Sequence, residues 1–213
     1  RQIMNTNKTI KTNSAKAWLL AARPKTLTGA AVPVLLGAMS AYLKTGNEIR
    51  LLPIVFCFLF AFVMQIDANF VNDYFDFRKG NDNEKRLGPK RACAQGWITP
   101  AKMKCALYLT TLLACLIGLP LIFFGGWITI LVGLVCVVFC FLYTTHLSYK
   151  GMGDVLVLVF FGLVPVYGTY VLALPHSALS FSAEPFALAL ACGFVIDTLL
   201  IVNNFRDIEN DIE

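Results

Sequence analysis

Charge is what this chain has least of. Only 15% of its 213 residues are Asp, Glu, Lys or Arg, against 57% hydrophobic and a mean hydropathy of +0.67. A soluble domain carries about 25% charged residues, so that class is excluded. No nucleic-acid partner is expected of such a chain. Histidine is nearly absent, and the two present, His146 and His176, stand apart and stay unassigned. The seven cysteines are odd in number and scattered. Most lie in apolar runs without a His or Cys at ligand spacing, which excludes a disulfide framework and a zinc site. They read as small apolar packing residues. The polar, basic leader from Met4 to Ala17 has no apolar core, so no cleaved signal peptide is expected.

What the chain has in plenty is long apolar runs. They fall at 27–43, 51–75, 105–124, 127–143, 155–174 and 184–205, each near the roughly 20 residues that a helix needs to cross about 30 Å of hydrocarbon. The expected fold is therefore all-α, a polytopic transmembrane helical bundle of six spans in a lipid bilayer, with residues 1–213 forming one domain. Alternation puts sixteen of the eighteen Lys and Arg on one side and leaves Lys44 and Arg50 on the other. Under the positive-inside rule the rich side faces the cytoplasm, across a cell (inner) membrane. The loop after the second span, the loop after the fourth and the segment after the sixth then share that side.

The second span ends in a polar stripe. At 100° per residue, Gln65, Asn69, Asn72 and Asp76 lie within about 60° of one another, with Asp73 beside them. A charge deep in a bilayer costs roughly 2.5–3.5 kcal/mol on insertion scales, so such a cluster faces a bundle interior or cavity where it has partners. Solvated helix ends explain Asp76 and Asp82 but not the inner members. The sixth span repeats the pattern: Asn203, Asp207 and Asp211, spaced i, i+4, i+8, answer Asn72 and Asp76. Two facing acid clusters suit a diphosphate only with hard cations between them, and Mg²⁺ takes a few carboxylates, water and phosphate oxygens. Arg86, Lys90 and Arg91, around Gly88-Pro89, are the candidates for the remaining phosphate charge, Arg91 foremost because a guanidinium binds phosphate oxygens in a fork. Lys79, Lys102 and Lys104 read as topology signals. Asp67, on the opposite face of the second span, and Asp197, inside the sixth, read as protonated or paired structural acids.

These residues resemble a family. Asn72-Asp-Tyr-Phe-Asp76 with Lys79-Gly-Asn-Asp82, Arg86-Leu-Gly-Pro-Lys-Arg91 and the distal Asn203 to Asp211 are similar to the UbiA superfamily of intramembrane prenyltransferases. The likeness is strongest to its 1,4-dihydroxy-2-naphthoate branch, which Arg23-Pro-Lys-Thr and Leu147 to Asp154 also fit. The resemblance implies a bundle of nine helices, of which this chain supplies six. It implies a polyprenyl diphosphate donor, a dihydroxynaphthoate acceptor and Mg²⁺ held by Asn72, Asp76, Asp82, Asn203, Asp207 and Asp211. Tyr143 and Tyr149 would shield the allylic cation. Arg23, Lys25, Asn69 and Lys150 would meet the acceptor, and Asp73 would be the base. A sister enzyme acting on 4-hydroxybenzoate, homogentisate or haem is the nearest alternative. A cation-coupled transporter is disfavoured because its acids sit near the midplane rather than at helix ends beside a basic loop. A soluble prenyl diphosphate synthase is disfavoured because its helices are amphipathic.

The charge asymmetry has a direct test. Single cysteines at Gly46 and at Asn83, in a background without the native ones, should label with impermeant reagents from opposite faces of the membrane. Labelling of the Asn83 position from the periplasmic face would exclude the assigned orientation.

Overall fold

The computed structural model describes residues 10–46, 48–80, 90–147 and 152–211; for His146, 203, 204 and 206–211 the description covers the backbone alone. Backbone N–H and C=O groups have no water to bond in hydrocarbon, so apolar runs of this length fold as helices. The described residues are mostly helical and contain no strand. In order they form α1 (Ala15–Ala22), a 3₁₀ turn (Pro24–Leu27), α2 (Thr28–Thr45), α3 (Leu51–Lys79), α4 (Pro100–Gly118), α5 (Ile122–Gly125), α6 (Trp127–Leu142), α7 (Gly153–Val157), α8 (Gly168–Ala173) and α9 (Ala183–Asp211). A 3₁₀ step at Leu119–Leu121 joins α4 to α5, and π-helical stretches at Tyr143–Leu147 and Leu158–Tyr167 extend α6 and join α7 to α8. Six of the resulting rods are long and apolar enough to cross a membrane. The protein is a multi-pass helical bundle, as the hydropathy pattern predicts.

The departures lie at the span ends. The leader is folded: Ser14 caps α1 by accepting the Ala17 N–H at 3.3 Å. Ahead of it, the Asn13 N–H donates to the Trp97 carbonyl at 2.7 Å, and Asn13 Oδ1 accepts the Thr99 N–H at 3.2 Å. Ala17 and Ala21 seat α1 against Phe70, Cys93 and Ile98. The helix then stops at Arg23, which takes φ 51°, and Pro24 opens the 3₁₀ turn. At its own end α3 runs on to Lys79, four residues past the apolar stretch, and closes on Gly80 with φ 77°.

Close helix crossings rest on small residues. A Cβ on Gly162 would lie 2.5 Å from the Ala189 carbonyl and 3.0 Å from Gly193 Cα. The fifth and sixth spans therefore meet backbone to backbone, as membrane helices do where nothing but packing draws them together. On the face opposite the basic loops, the Arg50 N–H donates to the Ala173 carbonyl at 2.8 Å, and Lys44 Nζ donates to Ser180 Oγ at the same distance. His176, unassigned from sequence, sits there with Nε2 at 3.4 Å from Arg50 Nη1. All seven cysteines are free thiols.

Asp67, read from sequence as a protonated or paired structural acid, finds its partners on α4. Fully buried, it accepts hydrogen bonds from Thr110 Oγ1 at 2.5 Å and Thr111 Oγ1 at 2.9 Å, tying α3 to α4. Both hydroxyls also reach carbonyls one turn back on α4, so they keep partners if Asp67 is replaced, whereas the carboxylate does not if they are. The Thr110→Val/Thr111→Val double variant should lose about 3 kcal/mol of stability. Adding Asp67→Leu should recover most of it, and unfolding in detergent measures both.

Candidate active site

Between α2, α3, α4, α6, the fifth span and α9 lies a cavity of about 700 Å³. Its walls are mostly apolar, among them Phe139 and Phe160, whose ring centroids are 5.4 Å apart. The polar lining includes Gln65, Asn69 and Asn72 on α3 and Tyr143 at the end of α6. Three members of the sequence-predicted stripe thus face one hollow. Cys57, Cys115, Cys136 and Cys140 line it as packing residues. An apolar hollow with a few convergent polar groups is the form that a small-molecule site takes.

The next turn of α3 carries Asp76, which forms an ion pair with Arg91: Nη2 donates to Oδ2 at 2.8 Å, with the side chains 7% (Arg91) and 17% (Asp76) exposed. A pair so shielded from water is held more firmly than a surface one. Asn72 accepts a hydrogen bond from the Thr144 hydroxyl. Lys79 Nζ donates to the Thr144 and Thr145 carbonyls at 3.2 and 2.9 Å. Lys79 is therefore more than a topology signal: it holds the π-turn bearing Tyr143 against α3. Cationic side chains suit the carbonyl end of a helix for the same electrostatic reason.

Asp73, the expected base, is only 1% exposed and absent from the cavity wall. Its Oδ2 accepts the Ala92 N–H at 2.7 Å and its Oδ1 the Cys93 N–H at 2.8 Å. Two backbone donors fix the start of the 92–98 loop, next to Arg91, so the carboxylate acts as a structural anchor. Asn69 is partly committed as well, since Nδ2 donates to the Ala22 carbonyl at 2.9 Å and to Thr26 Oγ1 at 3.0 Å. Lys25 and Lys90 are exposed, and Arg23 terminates α1. Asp82, Arg86, Tyr149 and Lys150 lie outside the described residues. α9 stays helical through Asp211, the backbone condition for the i, i+4, i+8 spacing of Asn203, Asp207 and Asp211, whose side chains also lie outside the description. Asp197 is nearly buried in α9, and its Oδ1 makes no hydrogen bond among the described residues.

Sequence reasoning missed Thr26, Thr144 and the folded 92–98 loop. The first was visible only as the last letter of Arg-Pro-Lys-Thr. The described residues gather no group of three or more His, Cys, Asp or Glu. Asn72 and Asp76, one turn apart on α3, offer oxygen donors only, which fits a hard divalent cation that takes few protein ligands.

Residues 30–213 match the model of the UbiA prenyltransferase family. The chain belongs to that family. Among its relatives, the 1,4-dihydroxy-2-naphthoate octaprenyltransferase of Haemophilus influenzae is 36% identical over 210 residues, covering 92% of this chain and 65% of the relative. The Escherichia coli protein of the same name is 35% identical over 209 residues, covering 93% and 65%. The UbiA prenyltransferase domain-containing protein 1 of Xenopus tropicalis is 29% identical over 209 residues, covering 91% and 56%. This UbiA family chain thus spans about two thirds of the length of its bacterial relatives.

The anchoring role of Asp73 separates from a catalytic one by labelling. With Cys93, buried beside the anchor, as the only cysteine, Asp73→Asn should expose it to a maleimide and cost about 1–3 kcal/mol of stability. A variant that loses turnover while Cys93 stays protected would restore Asp73 to the chemistry.

Proposed function

We propose that this chain is the larger part of an enzyme that transfers a polyprenyl group from a polyprenyl diphosphate to 1,4-dihydroxy-2-naphthoate. CO₂ and diphosphate are released, and the product is a demethylmenaquinone-type compound. The observation that carries this reading is the amide stripe of Gln65, Asn69 and Asn72 along the wall of an apolar cavity, with the Asp76–Arg91 pair one turn beyond it. An apolar hollow suits an isoprenoid chain; oxygen donors and a buried guanidinium beside it suit its diphosphate. The names of the two bacterial relatives support the choice of acceptor. Residues 1–213 form one domain in this reading, with about three further helices beyond α9 and the cavity open to the cytoplasm across the inner membrane.

Asn72, Asp76 and Asp82 from α3 and its following loop, with Asn203, Asp207 and Asp211 from α9, would hold Mg²⁺. Bound there, the ion supplies charge neutralisation for the departing diphosphate. Arg91, with Lys90 and Arg86, takes phosphate oxygens, and the Asp76 pairing keeps its guanidinium oriented. Tyr143, which lines the cavity, and Tyr149 after it in sequence would stabilise the allylic cation, which an apolar cavity shields from water. Arg23, Lys25 and Lys150 receive the acceptor's carboxylate. Attack from the ring carbon bearing that carboxylate leaves no proton there to lose, so the C–CO₂ bond breaks and its electron pair restores aromaticity.

The full-length protein in membranes, given polyprenyl diphosphate, Mg²⁺ and carboxyl-labelled dihydroxynaphthoate, should release labelled CO₂ in step with product. Asp76→Ala and Asp207→Ala should each cut the rate by about two to three orders of magnitude while inserting normally, and excess chelator should stop it. Prenylation of 4-hydroxybenzoate without turnover of the naphthoate would overturn the acceptor assignment. Full activity of either variant would overturn the cation site.

A further inference from the structure

We propose that Thr26 is the positioning residue of the acceptor subsite: its hydroxyl ties the turn that carries Arg23 and Lys25 to two amides of the cavity wall. The inference rests on the prenyltransferase reading and adds to it which group aims the turn at an aromatic carboxylate. The geometry is a saturated node. Thr26 Oγ1 donates to the Arg23 carbonyl at 2.9 Å and accepts from Asn69 Nδ2 at 3.0 Å and from Gln65 Nε2 at 3.4 Å. One donor and two lone pairs are all that a hydroxyl has. The Thr26 backbone N–H donates to the same Arg23 carbonyl at 2.9 Å, so both of its donors converge on one oxygen.

What they hold is a costly conformation. Arg23 is a non-glycine residue at φ 51°, a region that persists only when its surroundings over-determine it and that recurs at ligand clamps. Pro24 fixes the next φ and removes a backbone donor, which leaves Thr26 to close the turn. On the other side, Gln65 and Asn69 line the cavity, and Asn69 is itself anchored to the Ala22 carbonyl at 2.9 Å. The two cations of the turn are thus referenced to the wall against which an acceptor ring would lie. Loss of the hydroxyl frees the Gln65 amide, leaves Asn69 held by the Ala22 carbonyl and leaves the turn closed by the Thr26 backbone N–H.

The test uses the full-length protein in membranes and compares Thr26→Val, which keeps the shape but loses the hydroxyl, with Thr26→Ser, which keeps the hydroxyl. Thr26→Val should raise KM for dihydroxynaphthoate about tenfold, the size of one lost hydrogen bond to a well-placed group. KM for the polyprenyl diphosphate should stay within about twofold on the same scale, and Thr26→Ser should restore the wild-type acceptor KM. If Thr26→Val does not accumulate, Gln65→Leu, which removes one arm of the node, should move acceptor KM in the same direction by less. A second arm needs no turnover: with Lys25→Cys as the sole cysteine, removing the Thr26 hydroxyl should speed its modification by a charged methanethiosulfonate several-fold. Unchanged acceptor KM in an active Thr26→Val enzyme, equal rises in both KM values, or failure of Thr26→Ser to restore the wild-type value would overturn the proposal. If wild-type protein does not turn over the naphthoate, the functional reading falls and the labelling arm decides the node by itself, an unchanged rate overturning it.

Discussion

A polar group inside a membrane has to find its partner within the protein, because lipid offers none. α3 shows how far this constraint organises the bundle. It carries five polar side chains between Asp67 and Asp76, and each is spent on a different neighbour. Asp67 holds Thr110 and Thr111 of α4, Asn69 holds Ala22 and Thr26 before α2, and Asn72 meets Thr144 after α6. Asp73 takes the amides of Ala92 and Cys93, and Asp76 takes Arg91. Hydrophobic burial gives no preference between lipid and protein for an apolar helix face, so these bonds are what fix the rotation of α3 about its axis. Small-residue crossings such as Gly162 against Ala189 fix distances; the polar bonds fix angles.

That rotation determines which side of α3 becomes a site. With Asp67 turned to α4 and Asp73 to the loop, the face bearing Gln65, Asn69 and Asn72 lines the cavity, each of its amides bonded to a neighbour: Thr26, Ala22 or Thr144. The rim is stiffened from the other side by Lys79, which reaches past α3 to the carbonyls of the π-turn and sets Tyr143 in the wall. A π-turn where a wall residue must be aimed follows a common pattern at functional sites. Structure and site thus share the same side chains, and a substitution on α3 seldom touches only one of them.

The sequence made much of this legible, for a physical reason. The spans and their number follow from hydropathy, and the stripe from the 3.6-residue period combined with the cost of burying amides. The ends of α3 and α9 were less visible, since both continue past the apolar stretch on polar residues that hydropathy ignores. The tasks of Asp73 and Lys79 were not legible at all. Periodicity places Asp73 next to Asn72, but a 100° step cannot say whether a side chain meets a cavity or a loop. The loop that claims Asp73 returns from some twenty residues away through non-local contacts. Thr26 was hidden for a related reason: a lone threonine after a proline carries no periodic signal.

Counting acids in a membrane sequence therefore overstates the ligands available to a metal. Of the three aspartates on α3, two are structural, each matched by donors that leave it no part in the cavity, and only Asp76 stands at the rim with Asn72. A hard cation that favours six oxygen neighbours is not satisfied by one carboxylate and one amide. In the proposed reading the remaining donors come from water, from the substrate's own phosphates and from the next polar helix end. The extension of α9 through Asn203, Asp207 and Asp211 is the other place in the chain where the same amide-then-acid spacing recurs on a continuous helix. In the proposed reading the metal site belongs to two helices, α3 and α9, and the Gly162–Gly193 crossing seats the second of them against the fifth span rather than against α3.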